Sequence, residues 1–300
     1  MNRVMYEVIK SNIPIEKILL FREVGYIESV LDALIKELDI SEFEPWLIFR
    51  LSSHREQISI PVSKRKQIVF IIADESDFIP EIILKTSHAI FRQYLPDNLD
   101  YNHVFHLPVG PSRVSQCRPY KPVENRRYNV FFSGNLHLGR RELYNNFTRM
   151  RLLPFSMQHR IQGVRKAVYD THYPQSYIRF SKGFHTGLDP NDYAEILYNS
   201  KITLCPYGLS SKETMRHFEA MRAGTLVVTK PMPAHHCYQK APFITIEHWK
   251  NLDEQIEFLL SSRTLLRERQ EQTLSWWNEV CSPKAVASYI IDRLSTICPD

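Results

Sequence analysis

Between Lys201 and Pro231 the chain reads KITLCPYGLSSKETMRHFEAMRAGTLVVTKP, gathering hydroxyls, cations and acids into one short span. Ser210, Ser211, Lys212, Glu213 and Thr214 follow a strand-length apolar run, Ile202 to Cys205, that Pro206, Tyr207 and Gly208 interrupt. Met215, Phe218 and Met221, at spacings of three, predict a helix beginning just after them. A helix start carries unpaired N–H groups and the positive end of the peptide dipoles, which suits a phosphate. Arg216 and Glu219 fall one turn apart on that helix. The arginine can neutralise an anion, and the glutamate can orient it or accept a bond from a sugar hydroxyl. A serine cap followed by a solvated face of ion pairs is the plainer reading of the same letters.

The elements around these residues form one unit. Gly224 ends the helix where positive φ is wanted, and Leu226, Val227 and Val228 make a second strand closed by Lys230 and Pro231. Strand, loop, helix and strand in this order are a βαβ unit of a parallel sheet, whose ligands sit outside the carboxyl ends of the strands. Upstream, YNVFFSG predicts a strand running into a tight turn at Ser133, Gly134 and Asn135. Gly139, Arg140 and Arg141 come next, then a helix from Glu142 to about Met150.

The pattern ITLCPYG…SKETMRHFEAMRAGTLVV resembles the donor-binding segment of exostosin-like, GT-B-type glycosyltransferases. The match rests on Pro206, Gly208, Arg216, Glu219, Ala220, Ala223, Gly224, Val227 and Val228, with weaker similarity from about Tyr128 to Val280. The resemblance implies a GT-B-like α/β fold, two Rossmann-like domains facing each other across a cleft. The expected boundaries are 1–125 for an acceptor-side domain with linker, 126–282 for the nucleotide-sugar domain, and 283–300 for a helix packing back on the first domain. It further implies donor binding by Tyr207, Gly208, Ser210, Ser211, Lys212, Glu213, Thr214, Arg216 and Glu219. Asn135 and Arg140, with Arg141 beside it, are expected near the donor diphosphate. Phe184, in the loop before the helix DYAEILYNS, is expected either to stack on the base or to staple that helix.

In the first half, KRKQIVFIIADES reads as a buried parallel strand after a basic run. Ile15 to Phe21 and Trp46 to Leu51 read as short strands, Tyr26 to Leu38 and Glu81 to Arg92 as helices, and Val104 to Leu107 as a further strand. PSRVSQCRPYKPVENRR, residues 111–127, reads as a linker. Asp74 and Glu75, at the carboxyl end of the buried strand, are the candidate catalytic base, or else they cap the next helix. His54, His106 and His185 are alternative bases.

The net charge of +5 is unevenly spread, because residues 111–170 hold twelve Lys or Arg against three acids while the remainder sums to −4. Such a segment points to an anionic partner: a nucleotide diphosphate, an anionic acceptor, or a membrane surface approached peripherally. No nucleic-acid motif accompanies it. The five cysteines, Cys117, Cys205, Cys237, Cys281 and Cys298, lack CxxC spacing and read as free thiols. The N-terminal run MNRVMYEVIKSNIP lacks the apolar core of a signal peptide, so a cytoplasmic protein, at most at the inner membrane face, is expected.

Departures from related patterns refine the function. A retaining Glu-x7-Glu enzyme has an acid eight residues before the helix glutamate, and here Ser211 stands there. No Asp-x-Asp marks a strand end, and His235, His236 and Cys237 lack a spaced partner, so no metal and no cofactor are expected. GxGxxG and GxxxxGK[ST] are also absent, which argues against common nicotinamide enzymes and phosphotransferases. The reading is an inverting, metal-independent hexosyl- or pentosyltransferase. It would move a sugar from a nucleotide sugar to a glycan or lipid-linked glycan in surface polysaccharide synthesis. A non-catalytic nucleotide-sugar-binding or scaffold module is the alternative.

Overall fold

The computed structural model describes residues 8–18, 21, 24–50, 60–99, 101–112, 115–164, 175–183 and 186–297. The chain divides into two units. One holds residues 1–113, 233–239 and 278–300; the other holds 114–232 and 240–277.

In the first unit β1 (Lys10–Ser11), α1 (Ile15–Ile18), α2 (Val24–Ile35), β2 (Phe43–Phe49), β3 (Lys66–Ile72), α3 (Glu81–Thr86), β4 (Ala89–Arg92) and β5 (Val104–His106) follow in order. The five strands pair in chain order, all parallel. β3 is buried on both faces after Lys66, as its unbroken apolar run requires. Helix α2 buries Val24, Ile27, Val30, Leu31 and Leu34, a single helical stripe.

Two expectations fail here. Ile15–Ile18 is a helical turn rather than a strand. The helix expected from Glu81 to Arg92 stops at Thr86, and Ala89–Arg92 becomes a fully buried strand between β3 and β5. Both periods fit so short an apolar run, and tertiary pairing decided between them.

The second unit runs β6 (Tyr128–Asn135), α4 (Arg141–Asn146), α5 (Phe155–Val164), β7 (Tyr177–Ser181), α6 (Pro190–Tyr198), β8 (Ser200–Cys205), α7 (Met215–Ala223), β9 (Leu226–Thr229), β10 (Ile244–Thr245), α8 (Leu252–Ser261) and α9 (Arg263–Trp276). The last helix, α10 (Pro283–Thr296), packs on α2 in the first unit. Its sheet is ordered β7-β6-β8-β9-β10, all parallel. The strand order therefore reverses between β6 and β8, the crevice where α/β sheets accept ligands. Asp189 caps α6 through the Asn191 N–H at 2.8 Å. β6 continues through Asn135, so Ser133 to Asn135 are strand and not the expected turn.

The end of the expected linker is part of this unit's core. Val123 is fully buried, and its N–H donates to Gln270 Oε1 at 2.8 Å. The buried Arg126 guanidinium donates to Ser200 O at 2.8 Å and to Ala223 O at 2.7 Å. It thus neutralises the carbonyl end of α7. Gln270 Nε2 donates to Gly224 O at 3.2 Å. Among the described residues no helix is long and apolar enough to cross a membrane.

Gly224 itself is held at φ 62°, and a Cβ there would lie 2.8 Å from Leu274. Strain and overlap together predict that Gly224→Ala lowers stability by about 2 kcal/mol. Urea unfolding should show a lower midpoint with an unchanged slope.

Candidate functional site

The carboxyl end of β6 brings two arginines together over a glycine. A Cβ on Gly134 would lie 2.7 Å from Arg216 Nη2, 3.0 Å from Arg140 Nη1 and 3.2 Å from the Phe132 ring. Only glycine leaves room for that convergence. Arg140 ends the short 3-10 turn Leu138–Arg140 and is 4% exposed. Its Nε donates to Tyr207 O at 3.1 Å, and its Nη1 donates to Asn135 O at 3.0 Å and Asn135 Oδ1 at 2.7 Å. Arg216, in the first turn of α7, donates from Nη2 to Ser133 O at 2.7 Å. Both guanidiniums lie over the Phe132 ring, at 5.1 Å for Arg216 and 5.9 Å for Arg140.

Among the described residues neither arginine has a carboxylate partner. The cost shows in titration. Burial, and then the like charge of Arg216, push the Arg140 guanidinium down to about 9. Burial, Arg140 and Arg216 push the neighbouring His137 imidazole down to about 4, and its Nε2 is buried without a partner among the described residues. The pair is positive, partly desolvated and held by fixed partners, a chemistry suited to a phosphate.

Glu219, 6% exposed, accepts from Tyr193 Oη on α6 at 2.8 Å. Burial and the Glu219 charge raise the Tyr193 phenol well above its ordinary value, so it stays a donor. Glu219 is thereby oriented by a tyrosine and not by Arg216.

Cys205, at the end of β8, is buried and pushed up to about 12, a neutral thiol. His217 ties the start of α7 to two strands. Thr229 Oγ1 lies 2.9 Å from Cys205 O and 3.0 Å from His217 Nε2. His217 Nδ1 lies 3.1 Å from Thr214 Oγ1 and 3.2 Å from Thr214 O.

The loop before α7 is closed on itself. Gly208 N–H donates to Ser211 O at 2.8 Å, and Ser211 Oγ accepts from the Glu213 N–H at 3.1 Å. Tyr207 Oη donates to Pro231 O. Thr214 is the N-cap residue.

Of the residues expected at the donor, Asn135, Arg140, the Tyr207 carbonyl and Arg216 converge near Gly134. Ser210 and Lys212 lie exposed on the loop, and Glu213 is buried. Phe132, His137, Tyr193 and His217 were not anticipated. The alternation of β6, which puts Phe132 on the face of Gly134, was the available signal for Phe132.

In the first unit Asp74 is fully buried. Its Oδ2 lies 3.3 Å from Arg50 Nη1 and 3.6 Å from Arg92 Nη2, and its Oδ1 accepts from the Ser76 N–H at 3.0 Å. Ala73, just before it, sits at φ 62°, a strained conformation for alanine. Glu75 is exposed. His54, Phe184 and His185 lie outside the described residues. His235 bonds Leu95 O at 2.9 Å, and His236 stacks on Tyr289 at 4.6 Å. Cys237 lies 3.7 Å from His106 Nδ1.

Residues 182–285 match the family model described as the RXYLT1 C-terminal domain, which is xylosyltransferase-like. No curated protein matches the chain in sequence. Among solved structures, the glycosylation-associated Gap123 complex of Streptococcus agalactiae aligns over 90% of this chain and 57% of its own. Its TM-score is 0.50 and its identity 12%. An alpha-glucosyltransferase in complex with UDP-glucose and DNA aligns over 91% of this chain and 84% of its own, with TM-score 0.49 and identity 12%. An alpha1,3-fucosyltransferase aligns over 97% and 91%, with TM-score 0.46 and identity 11%. The likeness is one of fold. Two parallel-sheet α/β domains of the GT-B-like class are what the sequence led us to expect.

Burial pushes the His217 imidazole down to about 3 in the folded chain, against 6.5 for the free side chain. The unfolded chain therefore binds the extra proton between these values. Its contribution is intact above pH 6.5 and is lost as pH falls from there toward 3. The loss at pH 5 should be about 2 kcal/mol, and His217→Gln should flatten that part of the stability profile. Urea titrations at a series of pH values would check it.

Proposed function

We propose that this chain is a glycosyltransferase that takes a sugar from a nucleoside diphosphate sugar and passes it to a glycan acceptor. The observation that carries the proposal is the pair Arg140 and Arg216, converging over Gly134 without a carboxylate partner among the described residues. Such a pair suits a diphosphate. Charge grows on that group as the glycosidic bond breaks, and fixed cations stabilise it without reorganisation. In this reading they do the work a metal does elsewhere. The α7 N-terminus adds its dipole. Glu219, oriented by Tyr193, accepts from a donor hydroxyl.

Inversion is supported by Ser211, which stands where a retaining Glu-x7-Glu pattern has an acid. Direct displacement then needs a base for the acceptor hydroxyl. Of the two acids considered, Glu75 is favoured, because it is exposed while Asp74 is fully buried. A pentosyl donor is the narrower reading, supported by the xylosyltransferase-like match across α6, β8 and α7. An acceptor in surface glycan synthesis remains an expectation of the resemblance. A donor-binding module without transfer is favoured by one observation, the enclosure of Asp74.

Thermal unfolding against UDP, GDP, CMP and dTDP tests the reading. One nucleoside diphosphate should raise the apparent stability, since a ligand of the native state shifts unfolding by mass action. Arg216→Ala should weaken that ligand roughly 10- to 100-fold while leaving the unliganded melting curve close to wild type. A flat response to every nucleotide at millimolar concentration would sink the proposal. Binding without donor turnover would select the binding module.

A further inference from the structure

Residues 143–169 hold five arginines or lysines and no acid. Three of these, Arg149, Arg151 and Arg160, are described; all are exposed, and none has a carboxylate partner among the described residues. Arg149 and Arg151 belong to a turn closed by the Leu153 N–H to Met150 O at 3.0 Å. Pro154 then leads into α5. One face of α5 belongs to the domain: Phe155 packs against the core and Gln158 is fully buried. Gln158 Nε2 donates to Met150 O at 2.8 Å and to Asn145 Oδ1 at 3.2 Å, which pins the turn to the helix. The other face carries Ser156, Met157 and Arg160, all exposed.

Two apolar side chains stand among these cations. Leu152, at the turn, is 92% exposed and Met157 on α5 is 48% exposed. An ordinary solvated surface mixes both signs of charge and keeps large apolar groups down. This one does neither.

We propose that the turn 149–152 and the outer face of α5 form a docking surface for an anionic lipid bilayer. The arginines lie at headgroup depth while Leu152 and Met157 enter the interface. A soluble polyanion would use the cations alone; the two apolar side chains favour a bilayer. Each cation close to an anionic leaflet raises partitioning roughly fivefold, so three together give on the order of a hundredfold. The inference does not rest on the nucleotide reading, because none of these residues belongs to the Arg140 and Arg216 site.

Flotation of the full chain with vesicles tests it, comparing phosphatidylcholine alone with an equimolar mixture of phosphatidylcholine and phosphatidylglycerol. The wild type should float only with the anionic vesicles and should dissociate as salt rises. Substituting Ser for Arg149, Arg151 and Arg160 together should cut partitioning on the order of a hundredfold with the melting curve unchanged. Leu152→Ser should weaken vesicle binding severalfold while leaving retention on soluble polyglutamate as in the wild type. Equal flotation with both vesicle types overturns the proposal. So does a Leu152→Ser variant that floats like the wild type, which would mark the patch as a site for a soluble polyanion.

Discussion

Two guanidiniums held side by side, partly out of water and without an acid between them, set the terms for the second domain. Like charges at such range repel, and the burial of Arg140 adds a desolvation penalty. The fold offsets this with backbone. The carbonyls of Ser133, Asn135 and Tyr207 accept from the pair, and the Phe132 ring lies beneath both. Dipoles and a π face hold a cation in place but leave its net charge intact. Burial and then the charge of the pair keep His137 neutral, whereas Cys205 is kept neutral by burial against the pull of both arginines.

That arrangement needs a helix fixed at both ends. At its start α7 is tied by His217 to Thr229, which in turn bonds the end of β8. At its finish the glycine carbonyl and the Ala223 carbonyl are taken by Gln270 and Arg126. Arg216 stands beside the first of these anchors, within reach of the Ser133 carbonyl. The reversal of strand order between β6 and β8 supplies the opening beside them. Position in the sheet, rather than any single loop, is what matches this end of the domain to the general rule for ligands of α/β sheets.

Much of this was legible before the structure. The helix from Met215, the glycine that stops it and the strands around it follow from apolar spacing and the αL preference of glycine, both local properties. Arg140, Arg216 and Asn135 were marked, but for separate reasons, and nothing in the letters said that they meet. Tyr193 was hidden because its role is set by Glu219, a residue twenty-six positions away. His217 looked like one more position on an amphipathic helix; only burial against Thr229 makes it a neutral clamp. At two of the places where the reading failed, Ile15–Ile18 and Ala89–Arg92, the segments are too short for either period to be diagnostic.

The two domains treat buried charge in opposite ways, and the difference bears on what each is for. In the first, each buried acid is set against two cations. Asp74 sits between Arg50 and Arg92, and Glu44 receives Lys10 and Arg65. Although burial alone would raise it, bonds from Lys10, Trp46, Arg65 and Ser63 bring the Glu44 carboxyl down to about 2. Ion pairs of this kind fix local structure and offset part of the charge of the cations around each acid. In the second domain Arg126, Arg140 and Arg216 are all given carbonyls in place of carboxylates. For Arg126 the carbonyls close a helix end, so its charge is absorbed by a dipole. For the other two no such dipole opposes them, since the nearest helix end is the positive one. Uncancelled charge at the carboxyl edge of a sheet is costly to fold around, and an anion placed there would offset part of that cost. An anion bound as proposed would therefore stabilise the folded domain, and it would do so by lifting a cost that the fold already carries.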